Sequence, residues 1–178
     1  MTIHQEYSQD QLVKWLDLLG GPGWEGQRAC DHALDEMRQI GAAKLFPVLK
    51  LKLNDRDINV RCKASRAILG IDAKKGIELL LPFFNDPDAT FRWDICGLMH
   101  EYGNEHVIEP LIDRMKNDSD PQIRGTAAYA LGGIGNPRAI PALVETLNND
   151  HEIDELGYSP SSSAETAIHE IDKKSKQA

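Results

Sequence analysis

The sequence predicts an all-α protein of the α-solenoid kind, about five two-helix hairpins stacked in a row. One observation is a phrase met five times, a small residue followed four positions on by a large apolar one and three further on by another. It stands at Ala33-Met37-Ile40, Ala64-Ile68-Ile71, Ile95-Met99-Tyr102, Ala127-Leu131-Ile134 and Ala164-Ile168-Ile171, with Ile95 taking the small residue's place in the third copy. A second is the step between copies, 31, 31, 32 and 37 residues. A period of that size marks stacked helical hairpins, because one hairpin alone cannot bury its apolar face and must share it with its neighbours. The third is composition: 41% hydrophobic residues but only 6% aromatic ones suits close stacking of Ala- and Leu-rich helices.

Each phrase marks the second helix of a hairpin. The hairpins then fall at about 8–40, 42–71, 73–102, 104–134 and 136–171, in a single domain of residues 1–178 with 172–178 as a frayed tail. The first helix opens on Ser8-Gln9-Asp10-Gln11, a capping-box pattern, and continues through Leu12, Trp15, Leu16 and Leu19 at helical spacing. Gly20-Gly21-Pro22-Gly23 ends it. Later hairpins open on apolar stretches that carry Pro47, Pro82, Pro110 and Pro141. Proline is tolerated in a first turn and kinks a helix when deeper; Pro82 lies deeper and predicts a bend.

In the three central copies an acidic residue stands eleven positions before the large apolar residue and an arginine seven before it. These are Asp57 with Arg61, Asp88 with Arg92, and Asp120 with Arg124. The Asp caps the exposed amides of the second helix, and the Arg reaches the Asp of an adjacent copy, so that the turns form a polar ladder. The end copies depart from the pattern, with Gly26 and Cys30 in the first and Gly157 and Ser161 in the fifth, as capping hairpins with one neighbour do. The fifth copy also carries an insertion, His151 to Pro160, read as a surface loop of the kind that tends to be functional, and Ser161-Ser162-Ser163 starts its last helix.

Charge and cysteines narrow the functional classes. Twenty Lys and Arg against twenty-eight Asp and Glu leave a formal charge of -8, which disfavours nucleic acid as a partner. Cys30, Cys62 and Cys96 stand on separate copies without paired spacing, so neither a disulfide framework nor a zinc site is signalled. With a polar N-terminus and no apolar run beyond Leu79 to Phe84, the expected setting is cytoplasmic, without a membrane partner. No Gly-rich phosphate loop or nucleophile turn occurs, and Gly132-Gly133-Ile134-Gly135 follows a helix, so no catalytic residue is assigned.

The stretch Asp120-Pro121-Gln122-Ile123-Arg124-Gly125-Thr126-Ala127-Ala128-Tyr129-Ala130-Leu131-Gly132-Gly133-Ile134-Gly135-Asn136-Pro137 resembles the HEAT repeat in its phycobilisome-lyase-type variant. Asp57 to Asp72 and Asp88 to Gly103 match it less tightly. The resemblance implies that second helices line a concave face. The residues on their non-core side then make one stripe, from His32, Asp35 and Gln39 through Cys62, Lys63 and Arg66 to Trp93, Asp94 and Glu101. It continues through Thr126 and Tyr129 to Ser162, Thr166 and Glu170. Within it, Lys63, Arg66, Trp93, Asp94, Glu101 and Tyr129 are the expected partner-binding residues: two aromatics for buried area, and charges of both signs that favour a protein over a polyanion.

Three pairs, His100-Glu101, His151-Glu152 and His169-Glu170, raise a metal alternative of the kind used by deoxyhypusine hydroxylase, a HEAT-type enzyme with an iron centre. The spacing argues against it. The first and third pairs are two hairpin steps of ~10 Å apart, where a dinuclear site needs ~4 Å, and Gly132-Gly133 stands between them. No cofactor and no metal are therefore expected. The leading expectation is a non-catalytic scaffold binding another protein. The alternative implied by the resemblance is a subunit that handles a bilin or a phycobiliprotein, with the hydroxylase-like enzyme third.

Overall fold

The computed structural model describes residues 7–19, 23–154 and 157–177, with backbone only for 23–27. Among the described residues the chain is all helical and has no strand, and the fold is an α-solenoid. The elements are α1 (Gln9–Leu18), α2 (Gly23–Ile40), α3 (Ala42–Lys52), α4 (Ile58–Ile71), α5 (Ala73–Leu80), α6 (Ala89–Tyr102), α7 (Ile108–Asn117), α8 (Pro121–Ile134), α9 (Ile140–Asn149) and α10 (Pro160–Ser175). Short 3-10 turns at Leu81–Asn85, Glu105–Val107 and Pro137–Ala139 precede α6, α7 and α9. The residues group into two compact units, 1–79 and 80–178.

In the N-terminal unit α1 lies against α2 and α4, and α3 against α2 and α4. Ser8 caps α1 by accepting the N–H of Gln11. Leu12, Trp15, Leu16 and Leu19 are buried with Ala33, Leu34 and Met37 of α2, so the helical spacing read in the sequence is the buried face. Leu45 and Leu49 of α3 and Ala64, Ala67 and Ile68 of α4 complete this core. The predicted glycine stop at Gly20 to Pro22 lies outside the described residues.

In the C-terminal unit the second helices run in the order α6, α8, α10, each against the next, with α7 packed on α8 and α9 on α10. Phe91, Ile95 and Met99 of α6 and Ile123, Ala127 and Leu131 of α8 are fully buried. Their small residues let the helices approach closely. A Cβ on Gly133 would lie 2.6 Å from the His100 carbonyl oxygen and closer still to the His100 ring. The bend expected at Pro82 takes the form of a change of helix type, α5 ending at Leu80 and Pro82 opening the 3-10 turn.

Residues 172–175, expected as part of a tail, are helical. They continue α10, and Lys174 Nζ donates to the carbonyl oxygens of Gly132 and Gly133 at 3.2 and 2.5 Å. A cation on orphan carbonyls at the end of α8 is favourable both as a cap and against the helix dipole, which holds this last turn down.

Candidate partner-binding face

The turns fix the second helices first. Asp57 accepts the N–H of Asn59 at 2.9 Å, Asp88 those of Thr90 and Phe91 at 2.9 and 3.3 Å, and Asp120 that of Gln122 at 2.9 Å. The arginines, however, take a different carboxylate. Arg92 makes a bidentate pair with Asp118 at 2.8 and 2.9 Å, and Arg124 one with Asp150 at 2.6 and 3.1 Å plus Glu152 at 2.6 Å. Asp118 stands two residues before the capping Asp120 and also accepts its backbone N–H, as Asp86 does for Asp88 and Asp55 for Asp57. Each turn thus has two acids with separate duties. The spacing reading found the cap and missed the arginine's acceptor, although Asp-x-Asp recurs in the sequence. Arg61 donates to the Leu53 carbonyl at 3.2 Å.

Burial pushes the Asp118 carboxyl upward, but hydrogen bonds from Arg92 and the Asp120 N–H, with the Arg92 and Arg114 charges, outweigh it and hold the group below the ordinary carboxylate value. The Asp118 side chain is 0% exposed and that of Arg92 12%. Hydrogen bonding to Asp118 in turn raises the Arg92 guanidinium. Burial pushes the Cys96 thiol up to about 12, leaving it protonated and inert.

With the helices so held, the non-core side of α6 and α8 presents two large aromatics. Trp93 is 43% exposed and Tyr129 44%. Both line a shallow depression of about 290 Å³ in the C-terminal unit, whose floor includes Gly125, Thr126 and Ser163. A third aromatic closes it, Tyr158 of the inserted loop, 65% exposed. That loop is folded on itself: Asp154 N–H donates to the Tyr158 carbonyl at 2.8 Å, and the Tyr158 N–H to the Asp154 carboxylate at 2.9 Å. His100 stacks on Tyr129, with ring centroids 4.1 Å apart and planes 4° apart, which steadies the phenol on one face.

Of the six expected partner-binding residues, Trp93 and Tyr129 therefore share one depression. Asp94 and Glu101 lie on α6 outside its lining, half-buried and exposed respectively. Lys63 and Arg66 belong to α4 in the N-terminal unit, where Lys63 reaches Asp17 at 3.4 Å and Arg66 is half-buried. Tyr158 and Asp154 were not singled out from the sequence, and the only signal for them was the inserted loop itself. The N-terminal unit has its own depression, about 390 Å³, lined by Ala42, Ala43, Phe46, Pro47 and Leu79 with Lys50 and Lys75.

The His-Glu pairs do not fit a metal centre. Among the described residues no three His, Cys, Asp or Glu side chains lie together as a metal would require. His100 is committed to its stack on Tyr129, and the ring nitrogens of His151 lie 3.1 Å from Ser161 Oγ and 3.3 Å from the Asn148 carbonyl oxygen. No helix among the described residues is long and apolar enough to cross a membrane.

Known proteins share this architecture. The crystal structure of an engineered protein matches with a TM-score of 0.53 and 20% identity over 89% of this chain and 78% of that one, a likeness of fold alone. Deoxyhypusine hydroxylase of Eremothecium gossypii is 29% identical over 110 residues, covering 60% of this chain and 34% of the relative. That of Candida albicans is 30% identical over 108 residues, covering 59% and 34%. The chain thus spans about a third of the length of these enzymes. An uncharacterized phycocyanin operon protein Z of Pseudanabaena tenuis is 22% identical over 156 residues, covering 83% of this chain and 75% of the relative. HEAT repeats are matched over residues 43–124 and 77–156, which together with the paired helices and their capped turns makes the chain a member of the HEAT-repeat family.

Proposed function

We propose that the chain is a protein-binding module that docks its partner on the second-helix side of the C-terminal unit. The observation that carries this reading is the convergence of Trp93, Tyr129 and Tyr158, all solvent-exposed, around one depression. Large aromatics that lose little entropy on docking are the side chains that dominate binding energy, and a soluble surface seldom gathers three without use. Asp94 and Glu101, on the same helix as Trp93, are the charged residues assigned to recognition on this face; Lys63 and Arg66, on α4, belong to the N-terminal unit. The reading assigns no catalytic residue and no cofactor. Alanine at both Trp93 and Tyr129 is expected to cut recovery of cross-linked partners about ten-fold or more, while the loss of the His100–Tyr129 stack, about 0.5–1.5 kcal/mol, lowers the melting temperature by only a few degrees and leaves the chain folded. Unchanged recovery overturns the assignment.

A second reading draws on the phycocyanin operon relative, whose likeness extends over most of both chains. In it the partner is a phycobiliprotein or its open-chain tetrapyrrole, lodged between the aromatic walls. No lysine or arginine lines the depression to meet a bilin's propionates, which weighs against the free pigment. Added linear tetrapyrrole is expected to change its visible absorption if this reading holds, and an unchanged spectrum at micromolar protein retires it. For the hydroxylase reading no grouped set of three metal-ligating side chains occurs among the described residues, so it ranks third.

A further inference from the structure

We infer that the aromatic depression of the C-terminal unit receives a cationic side chain, the arginine or lysine of an extended segment of a basic partner protein. The inference rests on the docking reading above and specifies the partner's chemistry. Trp93, Tyr129 and Tyr158 line the depression, and among the described residues Asp154 is the one ionisable side chain in its lining besides the tyrosine phenols. An aromatic face attracts a cation through its quadrupole, and a guanidinium also stacks on it flat. His100 already covers one face of Tyr129, so the phenol's remaining surface is what opens on the depression.

The charge around it has the same sign. On α6, α8 and α10 the basic residues other than histidine are Arg92, Arg124, Lys173 and Lys174, of which Lys174 is held on the Gly132 and Gly133 carbonyls, while Asp94, Glu101, Glu165 and Glu170 supply carboxylates and Asp172 pairs with Lys176. Both arginines are turned into the turn network, on Asp118 and on Asp150 with Glu152. The field that a ligand meets on this side is therefore negative, in keeping with the chain's formal charge of -8. An anionic or purely aliphatic anchor would gain nothing from Asp154. The depression of the N-terminal unit, lined by one aromatic ring, Phe46, among small and aliphatic residues and by Lys50 and Lys75, carries the opposite charge.

The test uses three short peptides, acetyl-Gly-Arg-Gly-Arg-Gly-amide and its citrulline and glutamate counterparts, titrated into the full chain by calorimetry. The arginine peptide is expected to bind about ten-fold tighter than the citrulline one, which has the same shape without the charge, and the glutamate peptide not at all. Tyr158→Ala, on an exposed loop, should weaken the arginine peptide severalfold. Asp154→Asn keeps an acceptor for the Tyr158 N–H, so the loop stays closed; it should weaken the arginine peptide and leave the citrulline peptide unchanged. Equal binding of the arginine and citrulline peptides, both lost in Trp93→Ala, overturns the cationic anchor and leaves the docking face standing. Absence of binding by all three also overturns the cationic anchor, and the cross-linking comparison then decides the docking face by itself.

Discussion

The two units build the same hairpins with different adhesives. In the C-terminal unit successive turns are joined by bidentate, nearly buried ion pairs, Arg92 with Asp118 and Arg124 with Asp150. In the N-terminal unit two of the links between hairpins are more exposed: Arg38 donates to the Gly70 carbonyl at 2.7 Å, and Lys63 reaches Asp17 at 3.4 Å. Apolar matter joins the first helices of that unit, with Leu12, Trp15 and Leu16 buried alongside Leu34 and Met37. The first hairpin carries Gly26 and Cys30 at the positions where the central copies carry Asp and Arg. A ladder is a property of hairpins that have a counterpart to pair with, and an end hairpin must be held by its core.

The largest expected effect breaks that contrast directly. Arg92→Ala leaves the Asp118 carboxylate buried with Arg114, at 3.3 Å, as its remaining guanidinium. Stranding one member of a buried pair costs about 3–5 kcal/mol, and Arg114 places this case near the lower end. Lys63→Ala removes an exposed pair and should cost about 0–1 kcal/mol. Urea unfolding of the two variants reads the difference, and equal midpoints would show that the ladder carries no weight.

Helix approach gives a second, smaller contrast. In the C-terminal unit a Cβ on Gly133 meets the backbone of His100 at 2.6 Å, so Gly133→Ala must push α8 away from α6 and should destabilise by about 1–3 kcal/mol. In the N-terminal unit a Cβ on Gly70 meets only the side chain of Leu34, its Cδ atoms at 2.6 and 2.9 Å, the movable end of a flexible group. Alanine also gains about 1 kcal/mol of helix propensity over glycine, so Gly70→Ala should come out near neutral. Thermal denaturation of both variants is the check, and a larger loss at Gly70 would mean that the N-terminal core is as rigid as the other.

The repeat period made the hairpins and their second helices legible, because burial on one face forces a spacing that survives in the sequence. Ala64, Ile68, Ile95, Met99, Ala127 and Leu131 are all buried. The third member of the phrase is less reliable, since Ile40, Ile71, Tyr102 and Ile134 are half-buried where the helices end; in the fifth copy the order reverses, Ile171 being buried and Ile168 half-buried. Caps were legible for the same local reason: Asp57, Asp88 and Asp120 act within three residues of themselves. The acceptors of Arg92 and Arg124, 26 residues away, were not, because two acids in each turn look equivalent until the fold sets one against the arginine. Tyr158 was hidden differently. A loop has no period, and only the folded pairing of Asp154 with Tyr158 brings that ring over α8.

The smallest contrast is a matter of protons. A carboxyl held below its unfolded value binds its proton more weakly when folded. The contribution of Asp118 is therefore fully present above its unfolded value of 3.8 and is lost as pH falls through the lower folded one. Protonation removes the charge that Arg92 pairs with, so stability should fall as pH drops below about 4, and more steeply than the exposed acids alone would give. Asp55 in the N-terminal unit is also lowered, by the Asp57 N–H and Lys52, but it is only half-buried where Asp118 is fully so, and solvent screening leaves less to lose. Asp118→Asn should accordingly be less stable at pH 7 yet lose less as the pH is taken from about 5 to about 2, while Asp55→Asn should follow the wild-type profile. Urea midpoints across that range decide it. A wild-type slope retained in Asp118→Asn would place the acid sensitivity elsewhere and leave the ladder's strength to hydrogen-bond geometry instead of charge.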